Sequence, residues 1–175
     1  WAVQGIFKFD ISVADSLPFR FGAYGDVGWE SDNGATESFT QNYNVRFSTN
    51  FKTVPNIGLS YGLTINDNFS DVFYTDSPAV TLEYYFLDAF SFTSEYNFYH
   101  NRNKSKTIET EYDFLNASLI YQKKDSKWEY KLSATNLLDT RALNDNSFSQ
   151  LGGSSTFSSY VVQPRYVILS LKYNL

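Results

Sequence analysis

The sequence contains no cysteine, no methionine and a single histidine, His100. Without cysteine there are no disulfides, no thiol nucleophile and no Cys-ligated zinc or iron–sulfur centre. One histidine excludes His-rich metal sites and acid–base schemes that need a His pair. Basic residues are also scarce, with 14 Lys and Arg against 19 Asp and Glu for a net charge of −5. A nucleic-acid binder would carry a basic stripe, so nucleic acid is not an expected partner. Nowhere do about 18 apolar residues run together, so no membrane-spanning helix is expected. No charged segment followed by an apolar one marks a signal peptide. A chain that opens on Trp1 and lacks Met is expected to be a processed chain or a piece of a larger one.

Aromatic residues are abundant instead. There are 16 Phe, 14 Tyr and 3 Trp, yet the mean hydropathy is −0.36. The apolar residues are spread by alternation. From Phe19 to Glu30, Phe19, Phe21, Ala23, Val27 and Trp29 share one parity, and Arg20, Tyr24, Asp26 and Glu30 the other. A strand sends alternate side chains to opposite faces, so this is a strand with one apolar and one polar face.

The same pattern recurs over Phe39–Phe51, Ile57–Ile65, Val80–Phe86, Phe90–Phe98, Leu115–Tyr121, Trp128–Ala134 and Val167–Leu175. Val3–Ile11 is a weaker first example. The reading is nine strands and no helix. From the second strand to the ninth, no residue on the apolar parity is charged, in a chain that is 19% charged. Such a face can line a soluble sandwich, fill a lipocalin-like barrel or touch lipid. Alternation alone does not separate these three.

Connection lengths separate them. Short connections are expected near Lys52–Pro55, Leu87–Ala89 and Lys123–Lys127. Long polar ones are expected near Ser31–Glu37, Asn66–Pro78, Asn101–Glu109 and Asp139–Tyr160. Tight turns at one end and long loops at the other are the asymmetry of an outer-membrane barrel. Aromatics also gather near strand ends, among them Phe19, Trp29, Phe39, Phe51, Phe86, Phe90, Phe98, Tyr121, Trp128 and Tyr173. Tyr and Trp favour a membrane–water boundary because one end of each is apolar and the other is wet. Arg20, Asp26, Glu30, Arg46, Glu83, Glu95, Glu129, Lys131 and Lys172 fall on the other parity and need a wet lumen or partners.

The expected fold is therefore an all-β, antiparallel transmembrane β-barrel segment spanning residues 1–175, with about nine strands present. A closed bacterial barrel has an even strand count with both termini periplasmic. Nine strands place Trp1 on the wrong side and imply strands upstream. If the first strand is misread, eight remain and a small closed barrel is the alternative.

Three stretches carry a resemblance: residues 78–100 (PAVTLEYYFLDAFSFTSEYNFYH), 112–140 (YDFLNASLIYQKKDSKWEYKLSATNLLDT) and 160–175 (YVVQPRYVILSLKYNL). The strand from Trp128 to Asp139, ending in Asn136-Leu137-Leu138-Asp139, and the Gln163-Pro164-Arg165 lead-in to a terminal strand are similar to the end of a TonB-dependent receptor barrel. The resemblance covers roughly Pro55 to Leu175. It implies the C-terminal part of a larger barrel of about 22 strands, the size that encloses a plugged lumen. It implies a location in the outer membrane of a Gram-negative bacterium and uptake of an oligosaccharide, peptide or metal chelate. The implied partners are outer-membrane lipid, the nutrient ligand, TonB through an N-terminal plug region not present here, and a surface lipoprotein. Tyr173 matches the aromatic position of the family's barrel-assembly signal; Leu175 stands where an aromatic usually ends the chain, and Ser170 where a Gly is common.

Individual residues read as follows. Phe148, Phe157 and Tyr160 in the longest loop are candidate substrate contacts, with packing of that loop as the alternative. His100, with no second ligand in sight, reads as a loop or interface His rather than a metal ligand. Gly58 and Gly62 relieve crowding on the inward face rather than admit a plug. Glu83 and Glu95 form part of a lumen hydrogen-bond network rather than an acid–base pair. Lys123–Lys127 reads as a solvated turn, with lipid headgroups as the other reading. No catalytic residue, cofactor or metal is expected, and with one His an outer-membrane enzyme is the least favoured class. The rival to the barrel is a soluble β-sandwich or lipocalin-like ligand-binding module.

Overall fold

A computed structural model describes residues 2–13, 18–32, 36–68, 71–149 and 154–174, with side chains described over 18–29, 38–67, 71–141 and 161–174. The strands are β1 (Ala2–Val13), β2 (Phe19–Asp32), β3 (Thr36–Thr49), β4 (Asn56–Asn68), β5 (Asp71–Phe86), β6 (Phe90–Asn103), β7 (Glu109–Tyr121) and β8 (Trp128–Thr135). They continue with β9 (Ala142–Ser149), β10 (Ser154–Val161) and β11 (Tyr166–Tyr173). The described residues contain no helix. Nine strands form one antiparallel sheet in the order β1-β2-β3-β4-β5-β6-β7-β8-β11, and β9 and β10 form a separate hairpin.

The register tests the alternation frames that were read strand by strand. Phe7 faces Val27, Phe21 faces Phe47, and Phe47 faces Leu59. Leu59 faces Val80, Val80 faces Tyr96, and Tyr96 faces Leu115. Leu119 faces Leu132, which faces Leu169. Directly opposite residues in a sheet point to the same side. All nine frames therefore coincide on one apolar face, and a slip of one residue anywhere would have broken that agreement.

Among the described residues nothing covers this face and no apolar side chain is buried; Leu169 and Val167 are 66% and 63% exposed. The sheet is not closed into a barrel: among the described residues no strand pairs with the outer edge of β1 or of β11. That corrects the small closed barrel of the eight-strand alternative. The weak first strand is a full member of the sheet, paired with β2 from end to end.

The expected long loops are also corrected. β4 runs to Asn68 and β5 begins at Asp71, so most of the segment read as a loop at 66–78 is strand. Likewise β2 and β3 leave only residues 33–35 between them. The polar residues there carry no apolar alternation, which is what made them look like loops. Their backbone groups are nonetheless paired across the ladder, which satisfies them whatever the side chains are. The ends differ in how far the strands project beyond the apolar stretch. The one long connection, from β8 to β11, holds the β9–β10 hairpin.

β8 stops at Thr135, short of the Asp139 expected from sequence. Asn136 and Asp139 both adopt positive φ, 53° and 58°, which ends the strand in a turn. Asn136 is 2% exposed. Its Nδ2 donates to the carbonyls of Thr140 and Gln163 at 2.8 and 3.0 Å, and its Oδ1 accepts from the Thr140 N–H at 3.0 Å. Asn tolerates left-handed backbone and bonds locally, so one residue turns the chain and ties both roots of the excursion together.

Candidate functional site

The outer, apolar face carries an ordered row of rings at the end where the β5–β6 and β7–β8 turns lie. Tyr84 meets Phe86 at 5.2 Å between centroids, Phe86 meets Phe90 at 5.3 Å, and Phe90 meets Tyr121 at 4.8 Å. The row continues from Tyr121 to Tyr130 at 6.0 Å, and Trp128 packs on Tyr173 at 4.9 Å. These distances lie within the range of favourable ring pairs. Of the aromatics expected near strand ends, Phe86, Phe90, Tyr121, Trp128 and Tyr173 are brought together over β5, β6, β7, β8 and β11, while Phe19, Trp29, Phe39, Phe51 and Phe98 lie outside this row. Tyr173, singled out in the terminal strand, sits in this row. Leu175 lies outside the described residues.

At the opposite end the same face turns polar. Tyr61 Oη donates to Asp76, which pairs with Arg102. The Arg102 guanidinium lies 5.5 Å from the centre of the Tyr74 ring. Tyr96 Oη donates to Asp113 at 3.2 Å. His100 Nε2 lies 2.9 Å from Glu109 and 3.6 Å from Glu111. From Phe90 to His100 is ten residues, about 34 Å along a strand and about 26 Å in height at a 40° tilt. An outer-membrane barrel has an apolar band of about 25 Å.

His100 therefore does have carboxylate neighbours, contrary to the sequence reading that none was in sight. The donor atoms of His100, Glu109 and Glu111 lie within 4.8 Å of one another. The missed signal was register: His100 faces Glu111, and Arg102 faces Glu109, across the β6–β7 turn. The second neighbour decides the chemistry. Arg102 Nη1 lies 3.2 Å from His100 Nδ1. A guanidinium only donates, so Nδ1 accepts and the ring proton sits on Nε2, pointing at Glu109. A metal-ligating His instead donates from its second nitrogen to an acceptor. The trio is a hydrogen-bonded cluster beside the Arg102–Asp76 ion pair.

The inner face is polar and bonded across strands. Asn42 donates to Asp26 at 2.9 Å and accepts from Thr64 Oγ1 at 2.9 Å, forming a row over β2, β3 and β4. Thr93 and Ser118 bond at 2.8 Å, and Thr75 donates to Asn101 at 2.8 Å. Over β5–β8 this face carries an open hollow of 340 Å³ lined by Thr81, Glu83, Thr93, Glu95, Asn116 and Ser118, with Leu82, Ala117 and Ala134 also contributing. Glu83 and Glu95 both line it, in adjacent rows rather than opposite each other: Glu83 faces Thr93, and Thr81 faces Glu95. Asn97 donates to Glu95 at 2.8 Å. Nearer the far end of the same face Tyr99 stacks on Tyr112 at 5.0 Å, with Phe114 at 6.1 Å from Tyr112. The alternation frame hid these three rings, because it counted only the other parity.

Gly58 and Gly62 lie on this inner face. A Cβ at Gly58 would meet Thr81 Oγ1 at 2.3 Å, and one at Gly62 would meet Ser77 Oγ at 2.4 Å. Both glycines make room for a hydroxyl from the facing strand. The backbones of Phe148 and Phe157 sit in β9 and β10 opposite Ser155 and Asn146, and that of Tyr160 faces Leu143. Their side chains lie outside the described ones. No family model, no curated protein and no solved structure matches the chain.

Proposed function

We propose that the chain is lipid-facing wall from the barrel of an outer-membrane TonB-dependent receptor, contributing to nutrient uptake. The observation that carries the first part is which face holds the hollow. In a lipocalin-like module the enclosed side is apolar and the outside is wet. Here the open hollow is lined by hydroxyls, an amide and carboxylates alongside Leu82, Ala117 and Ala134, and the opposite face is apolar and uncovered among the described residues. A sandwich would need a second layer over that face. Lipid is a solvent that satisfies an uncovered apolar face while demanding a fully paired backbone, which the sheet interior has. The receptor assignment rests on the sequence resemblance of residues 78–100, 112–140 and 160–175. In that reading the inner face, with Tyr99, Tyr112 and Phe114, is the side that meets nutrient or plug, and no residue performs covalent chemistry.

The test uses the native tryptophans. Trp29 and Trp128 sit on the apolar face and are 38% and 47% exposed. In lipid vesicles both should be quenched by lipid-borne quenchers. A chain that stays monomeric and compact without detergent, with neither tryptophan quenched, overturns the proposal and favours the soluble binding module.

A further inference from the structure

The two ends of the apolar face differ in charge as well as in ring content. The turn between β7 and β8 carries Lys123, Lys124 and Lys127 with one acid, Asp125. Asp125 adopts a φ of 63°, and the Ser126 N–H donates to the Lys123 carbonyl at 3.0 Å, so this is a tight, fixed turn. Lys123, Lys124 and Lys127 are all exposed. Lys127 Nζ lies 5.7 Å from the centre of the Tyr173 ring, and that ring packs on Trp128. Three ammonium groups thus stand directly beyond the end of the aromatic row. At the other end Asp76, Glu109, Glu111 and Asp113 stand on the same face with Arg102, and the β6–β7 turn adds Lys104 and Lys106, so no comparable excess of cations stands there.

From this juxtaposition we infer that the β7–β8 turn is a docking site for the anionic headgroup of a phospholipid, with Lys123, Lys124 and Lys127 meeting the phosphate and the Trp128–Tyr173 pair lying under it at the top of the acyl chains. The inference rests on the lipid-facing reading above. Its physical basis is complementarity: an exposed cation gains on approaching an anionic membrane surface, and an aromatic pair favours the headgroup boundary.

The test keeps Trp128 as the sole reporter by Trp1→Phe and Trp29→Phe substitution in the full chain, reconstituted in phosphatidylcholine vesicles. A nitroxide is carried on the headgroup of either phosphatidylglycerol or phosphatidylcholine at equal mole fraction. The expected result is stronger quenching by labelled phosphatidylglycerol, with the preference falling by about fivefold for each Lys→Gln change at 123, 124 and 127. Quenching by labelled phosphatidylcholine should survive in the triple variant. Equal quenching by both labels, or a preference unchanged in the triple variant, overturns the headgroup site while leaving the lipid-facing reading intact. No quenching by either label overturns both.

Discussion

The two faces of the sheet are built by the same alternation and end in opposite states. On the inner face, side chains find partners within the sheet: Asp26, Asn42 and Thr64 bond in a row, and Thr93 meets Ser118. On the outer face, side chains touch along the surface, and among the described residues nothing lies over them. The inner face bonds largely to itself, although the buried Thr110 hydroxyl finds no partner among the described residues. The outer face depends on whatever solvent surrounds it, so the identity of that solvent is the functional question.

The largest expected effect separates the faces directly. Leu115 lies mid-height on the outer face, opposite Tyr96. Leu115→Arg should cost about 2–4 kcal/mol in a bilayer, the depth-dependent penalty for a cation on a barrel's lipid face. Ser133→Arg, on the wall of the inner hollow, should cost under about 1 kcal/mol because the head stays in water. Reversible urea unfolding in vesicles measures both. Equal costs for the two variants would remove the distinction between the faces.

A smaller effect sharpens the picture of the inner face as a crowded one. Gly58→Ala should cost about 1–3 kcal/mol, the usual penalty of overpacking. Thr81 is β-branched, so turning its hydroxyl away brings a methyl into the same space. Gly62→Ala should cost less, because Ser77 can rotate its lone hydroxyl clear. Unfolding midpoints of the two variants in one vesicle preparation give the order. The reverse order would mean that the facing side chains do not set the space.

What was legible in the sequence follows from the same contrast. The apolar frames of nine strands could be read because lipid- or core-facing positions tolerate few charges, and the register bears each frame out. Strand ends were not legible past Phe98 or before Val80, where Asp76, His100 and Arg102 continue the face with polar groups. Their pairing is a property of the ladder, which no side-chain period records. The turn at Asn136 was misread as strand because its cause is a buried amide bridging Thr140 and Gln163, residues close in space but 27 apart from the amide in one case. The neighbours of His100 were invisible for the same reason. Closure of the sheet was not legible either, since alternation is the same in an open wall and in a closed one.

The smallest effect lies at the rim, beyond both faces. Asp139, in the turn after β8, has its carboxyl held below the ordinary value of 3.8, first by the hydrogen bond from Arg141 and then by the Arg141 charge and the Arg165 N–H, against an opposing contribution from burial. A carboxyl whose pKa is lower folded than unfolded contributes stability above the unfolded value and loses it as pH falls through the folded one. The contribution should be full at pH 7 and fade below 3.8. Arg141 is 82% exposed, so the pair is well screened and its share is small. Asp139→Asn removes the titration and leaves a residue that accepts the positive φ at least as well, so any backbone gain is independent of pH. The difference in thermal midpoint between the two proteins should therefore narrow steadily on acidification and shrink in high salt. A difference that does neither would mean that the ion pair contributes nothing and that the rim, like the inner face, is held by neutral hydrogen bonds such as those of Asn136.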